Sequence, residues 1–144
     1  MQQRQAWRLL LCVVAITAVF AGEKWWRARS GAIAAWRELV QRMDGLGRAV
    51  HHGDLASVAA QETALRAAAS RLDYDAWIMG PRKRDVRRLI ADLKQASGRL
   101  RRAAAASDGA EVEAGYRSAV ALLDELRGRL PWGFGSVPLA DPGG

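Results

Sequence analysis

His51 and His52 are the only imidazoles in the chain, and Cys12 is its only thiol. An imidazole would suit a haem, a chlorophyll or a transition metal. Adjacent residues on a helix point about 100° apart, so the two rings diverge and a polar helix end is expected of them. Cys12 has no second cysteine for an intramolecular disulfide and no histidine nearby for a metal site. Leu10 and Leu11 stand where a lipidated cysteine wants small residues. Met43 and Met79 read as core filler rather than axial ligands. Asp124 and Glu125 lie side by side instead of on one helical face, and no Glu-x-x-His pair exists, which excludes a di-iron carboxylate bundle. There is no phosphate loop, no Gly-x-Ser-x-Gly and no Cys/His nucleophile pair. The expectation is a chain with no catalytic residue, no cofactor and no metal, hence not an enzyme.

One constellation does invite a ligand. Arg82, Lys83, Arg84, Arg87 and Arg88 follow Pro81, a residue suited to the first turn of a helix. Cations there oppose the helix dipole, where a purely structural sequence would place acids. Free backbone N–H groups beside arginines favour an anion, either lipid phosphate or an acidic partner surface. The competing reading is a solvated charge run balanced by acids on the neighbouring helices.

The element that must position this group begins at the N-terminus. Leu9–Ala21 is almost unbroken apolar sequence. Trp7 and Trp25 bracket it, and a helix would set them about 27 Å apart, close to the hydrocarbon thickness of a bilayer. Trp favours both membrane interfaces, and Trp26 reinforces the second belt. Arg4, Arg8, Lys24, Arg27 and Arg29 against Glu23 give residues 1–30 a charge of +4, so that only +3 of the chain's +7 is left for the rest. A nucleic-acid binder concentrates its excess on the folded domain, so no nucleic acid is expected and the flanking charge points to a membrane anchor. Val19-Phe20-Ala21 would satisfy a signal peptidase; an uncleaved anchor is the reading preferred here. The positive-inside count leans towards a cytoplasmic domain, whereas the signal-like segment favours export, and export is adopted. Ala15, Ala18 and Gly22 would let another transmembrane helix come close. The localisation expected is single-pass in a bacterial inner membrane, with the domain on the periplasmic side.

The remaining sequence reads as helices. Ile33, Trp36, Val40, Met43, Gly47 and Val50 recur at steps of three and four. Gly53 ends that helix and Asp54 caps the next, which carries Leu55, Val58, Leu65, Ala69 and Leu72. A connection over Asp73–Gly80 leads to a third helix with Val86, Ile90, Leu93, Leu100 and Ala104. Ser107-Asp108-Gly109 breaks it. The fourth holds Val112, Tyr116, Ala119, Leu123, Leu126 and Leu130 and stops at Pro131. Short connections imply antiparallel neighbours. The expected fold is all-α: a transmembrane anchor with interfacial residues over 1–30, an up-down-up-down four-helix bundle over 31–130, and an extended docking tail over 131–144. At an offset of 54 residues, Leu39 matches Leu93, Leu46 matches Leu100, Asp54 matches Asp108, Val58 matches Val112 and Leu72 matches Leu126. Two similar helical hairpins would produce this repeat.

In that topology the membrane-proximal end gathers Trp25, Trp26, Trp77, Ile78 and Met79, the basic group and the tail, whose Trp132 and Phe134 are candidates for docking on a partner. The equal alternative is a tail folded back over its own bundle. Trp7, Trp25, Trp26 and Trp77 are the expected membrane-interface residues. Arg82, Lys83, Arg84, Arg87 and Arg88 are expected to contact anionic lipid or the partner.

Leu93–Leu130 resembles the second half of bacterial cytochrome c′, a periplasmic four-helix haem protein. A Leu/Ala-rich helix, the turn Ser107-Asp108-Gly109, and then Tyr116, Ala119, Val120 and Leu123 carry the resemblance. The family then has Cys-x-x-Cys-His on its last helix, where this chain has Leu123-Asp124-Glu125-Leu126-Arg127, so covalent haem is ruled out there. The resemblance implies a bundle and an exported location and transfers no functional residue. The function expected is that of a non-catalytic accessory subunit bound to larger integral membrane subunits, in an energy-transducing (electron-transport) or photosynthetic complex, and resting on anionic headgroups. The alternatives are a ligand-sensing or non-covalent haem-binding electron carrier, and a basic module binding anionic lipid or nucleic acid.

Overall fold

The computed structural model describes residues 2–131 together with Phe134. Four α-helices follow in order: α1 (Gln2–His52), α2 (Leu55–Tyr74), α3 (Lys83–Ala105) and α4 (Gly109–Arg129). A 3₁₀ segment, Ala76–Arg82, joins α2 to α3, and the described residues contain no strand.

The expected division after residue 30 is not a break. The apolar segment and the first bundle helix form one α-helix of 51 residues, about 76 Å long. No proline precedes Pro81, and isolated glycines such as Gly22 and Gly31 weaken a helix by only about 1 kcal/mol each. The Glu23–Arg27 ion pair at i,i+4 bridges the junction. The helix therefore has nothing to end it before Gly53.

Surroundings, not backbone, divide α1. Residues 3–27 are exposed, and burial begins at Ala28. Beyond it Trp36, Leu39, Met43 and Leu46 are fully buried, at steps of three and four. The stripe is rotated slightly from the one expected: Leu39 and Leu46 lie inside, whereas Ile33 and Val50 sit at the edge of the core. The same core takes Leu65 and Leu72 from α2, Ile90, Leu93 and Leu100 from α3, and Leu123 and Leu126 from α4. Helix α1 packs on α2, α3 on α4, and α2 on α3, and α1 also meets α4.

Two turns share one construction. At the first, Asp54 N–H donates to Ala49 O (3.0 Å) and Gly53 N–H to Val50 O (3.1 Å), with Gly53 at φ +67°. At the second, Asp108 N–H donates to Ala103 O (3.0 Å) and Ser107 N–H to Ala104 O (3.1 Å), with Ser107 at φ +55°. Both are Schellman endings. Each is followed by an aspartate that caps the next helix: Asp54 accepts from Ser57 N–H and Asp108 from Glu111 N–H, both at 3.1 Å. All the leucines and valines of the 54-residue repeat are buried.

The connection read as a loop over Asp73–Gly80 is ordered. Ala76 and Met79 of the 3₁₀ segment are core residues. Gly80 has φ +56°, which favours glycine, and Pro81 follows it into a last 3₁₀ turn instead of opening α3 directly.

Candidate functional site

Two neighbouring features mark the end from which the bare half of α1 emerges. The first is a groove. Tyr74 closes α2, and the buried Ala76 and Met79 pin the segment that follows. This throws Trp77 outward, 38% exposed, beside α1. Ala21, Lys24, Arg27 and Ala28 of α1, with Tyr74, Asp75 and Trp77, line a groove of about 640 Å³. The Lys24 ammonium lies 5.9 Å from the centre of the Trp77 ring, within cation–π range. The Asp73–Gly80 connection is thus beside the anchor junction, as the sequence implied. Trp25 and Trp26, between Lys24 and Arg27 on the same helix, are exposed, and the Arg29 guanidinium stands 5.9 Å from the Trp25 ring. Trp7 is exposed at the far end of the apolar run.

The second is the basic group at the start of α3. Arg82, Arg84, Arg87 and Arg88 are exposed and Lys83 is half-buried. Of the five, Arg87 alone has an acidic partner among the described residues, Asp73 at 3.5 Å. Asp85 is taken by Arg129, also at 3.5 Å. These pairs bring the C-terminal ends of α2 and α4, with their partial negative charge, beside the start of α3. That neighbourhood partly answers why cations are tolerated at a helix N-terminus. The free N–H groups expected there are fewer than a bare helix start would offer, because the 3₁₀ turn runs straight in and Lys83 N–H donates to Gly80 O. What remains for an anion is mainly side-chain charge.

The tail reading is corrected in part. Phe134 is not presented to a partner: it is 4% exposed and belongs to the core. Leu130 is buried as well, and Phe134 N–H donates to Pro131 O at 3.4 Å, which turns the chain back over the bundle. Trp132 lies outside the described residues.

At the opposite end, His51 and His52 are exposed, with ring centres 5.6 Å apart and edge-on. His51 shares a cleft of about 400 Å³ with Gly47, Glu113, Tyr116 and Arg117. Glu113 is engaged by Arg117. The Tyr116 ring packs so closely on Gly47 that a Cβ there would collide with its hydroxyl. Burial, aided by the Asp44 charge, pushes the Tyr116 hydroxyl above its ordinary pKa, so it stays a neutral donor. No three His, Cys, Asp or Glu side chains among the described residues are arranged to hold a metal.

One polar cluster escaped the sequence reading. Glu62 is fully buried between α2 and α3. Its Oε1 accepts from Ser97 Oγ–H (3.1 Å) and from Arg66 Nε–H (3.0 Å), and Arg101 stands 3.8 Å from Oε2. The signal was present: Val58, Glu62, Leu65, Ala69 and Leu72 form one three-and-four row, so an acid had to point inward. Both arginines reach solvent with their outer ends, and the cluster is a strut between two helices. Lys24, Tyr74 and Asp75 were missed as well, because only the fold brings residues some fifty positions apart into one groove.

Neither protein-family models nor curated proteins nor solved structures include a match to this chain.

Proposed function

We propose that this protein is a single-pass membrane protein whose up-down-up-down helical bundle serves as a non-catalytic accessory subunit of a larger membrane-embedded complex. The observation that carries the reading is the asymmetry of α1. Its N-terminal part is long and apolar enough to cross a membrane, with a mean hydropathy of 1.7 over its most apolar 18-residue window and none of that window buried. An exposed apolar surface of this length needs lipid or another protein to cover it. The short turns, two residues between α1 and α2 and three between α3 and α4, and cross-helix pairs such as Glu38–Arg71 and Asp85–Arg129 support the alternating helix directions of this reading.

Because α1 is unbroken, the bundle is held at a set height, beginning about 10 Å beyond Ala21. Trp25, Trp26 and Trp77 then fall at the interface, and Arg82, Lys83, Arg84 and Arg88 face either anionic headgroups or an acidic partner subunit. The signal-like apolar end supports a periplasmic bundle on a bacterial inner membrane. The role is positioning and stabilising, with the buried aromatics and leucines serving the fold alone.

The test is mild detergent extraction of native membranes and purification through this chain. Large membrane subunits should co-purify in stoichiometric amount, and replacing Arg82, Lys83, Arg84 and Arg88 together with Glu should release them. A chain that elutes alone from gently solubilised membranes overturns the accessory-subunit reading.

A further inference from the structure

Lys24 and Asp75 face the same groove without pairing. Among the described residues no acid lies within ion-pair distance of the Lys24 ammonium, whose neighbour is the Trp77 ring. Arg27, on the same wall, is engaged by Glu23. Among the described residues Asp75 has no cationic partner either. Its carboxylate rests against the backbone of Gly31, where an added Cβ would come within 2.9 Å of Oδ2, so the group lies close against the inner wall. The groove therefore offers a positive pole and a negative pole, separate from each other, with an indole beside the positive one. A molecule carrying an anion and a cation a few bonds apart complements both.

We infer that this groove binds the headgroup of a zwitterionic phospholipid with a primary amine, of the phosphatidylethanolamine class. The phosphate would sit at Lys24, and the ammonium at Asp75. The placement rests on the membrane reading of α1: the groove starts at Ala21, the last residue of the apolar run, so acyl chains leave it along the bare helix face. A primary ammonium can donate hydrogen bonds to the Asp75 carboxylate, and a quaternary choline cannot. A glycerol headgroup has no cation and would leave Asp75 facing phosphate. The same poles would accept a soluble phosphoethanolamine ester, so the experiment separates the two sources.

The full chain is reconstituted in nanodiscs holding equal amounts of phosphatidylethanolamine, phosphatidylcholine and phosphatidylglycerol, then released for native mass spectrometry. The protein should retain one phosphatidylethanolamine about tenfold over the other two, the value of one charge-assisted contact. Asp75→Asn should bring the ratio of ethanolamine to choline lipid close to one. Lys24→Gln should lower retention of both alike. Burial pushes the Asp75 carboxyl above its ordinary pKa, so removing its charge does not cost stability near neutral pH, and a thermal melt checks that the variant is folded. A wild-type ratio near one, or a preference unchanged in Asp75→Asn, overturns the inference. So does displacement of the lipid by an equal concentration of glycerophosphoethanolamine, which would assign the groove to a soluble zwitterion. Alkaline washing of the membranes tests the parent reading separately: a chain that stays in the membrane without headgroup preference sinks this inference alone, and a chain that washes out sinks both.

Discussion

Residues 3–27 and residues 28–50 of α1 share one unbroken backbone, yet the more apolar of the two stretches is the exposed one. Leu9, Leu11, Val13, Ile16, Val19 and Phe20 all lie on the surface. In the second stretch Trp36, Leu39, Met43 and Leu46 are buried, while Arg37, Gln41 and Arg48 of the same stretch remain exposed. The difference shows that a protein core selects periodicity rather than total hydrophobicity. A helix with one apolar stripe can be covered by two or three neighbours, and a helix apolar on every side needs a surrounding solvent of the same kind. The second half found its neighbours in α2 and α4. The first half extends past the ends of the other helices.

Mutations can break this contrast on either side. The largest effect is expected from Trp36→Ala, which empties a fully buried site and should cost about 3–5 kcal/mol in urea unfolding. A loss below about 1 kcal/mol would mean that the second half of α1 is not the centre of the bundle. Next comes Ile16→Lys, midway between Trp7 and Trp25. A lysine at the centre of a membrane helix opposes insertion by about 2.5–3.5 kcal/mol, so the membrane-integrated fraction should drop sharply while the bundle's melting temperature stays constant. A shift in the melt would show that the bare half helps hold the bundle together.

Two smaller changes sharpen the picture of the folded half through its paired turns. Gly53 and Ser107 occupy the same left-handed position, but only the serine carries a Cβ there. Ser107→Gly should stabilise the bundle by about 0.5–1 kcal/mol, read from urea midpoints; Gly53→Ala should act in the opposite direction. The smallest effect concerns pH. Hydrogen bonds from the Ser57 hydroxyl and backbone hold the Asp54 carboxyl below its ordinary 3.8. The cap's contribution is therefore fully present above pH 3.8 and is lost as pH falls through the lower folded value. Asp54→Ala should lower the melting temperature at neutral pH, and the gap to wild type should shrink in acid. An equal gap at both pH values would show that the charge plays no part in the cap.

Much of the fold is written locally. The Gly53-Asp54 turn announces itself through a glycine followed by a capping acid and the second through the break Ser107-Asp108-Gly109 with its capping Asp108, and the 54-residue offset places both in equivalent positions; the left-handed backbone of Ser107 has no such signal, since a serine does not favour it. The rows through Trp36, Leu65, Leu93 and Leu123 follow from helical periodicity alone. What the sequence concealed depends on competition between weak local signals and tertiary packing. The continuity of α1 across residues 21–31 comes from the absence of any breaker, which is harder to notice than a breaker. Phe134 is two residues beyond Trp132 in a Gly/Pro-rich stretch, where only the presence of an open core end decides that the ring folds back. The groove between Lys24 and Asp75 arises from residues 51 positions apart, and no local pattern encodes it.

The central claim is that the exposed half of α1 lies in a bilayer while the rest of the same helix stands in water. Cys12, the only cysteine and an exposed residue of that half, makes the direct measurement possible without altering the sequence. A nitroxide attached to Cys12 in proteoliposomes should collide readily with dissolved oxygen and scarcely with a water-soluble nickel chelate. A label at His52→Cys in a Cys12→Ser background should show the reverse. Equal access of the nickel chelate to both labels would contradict the account.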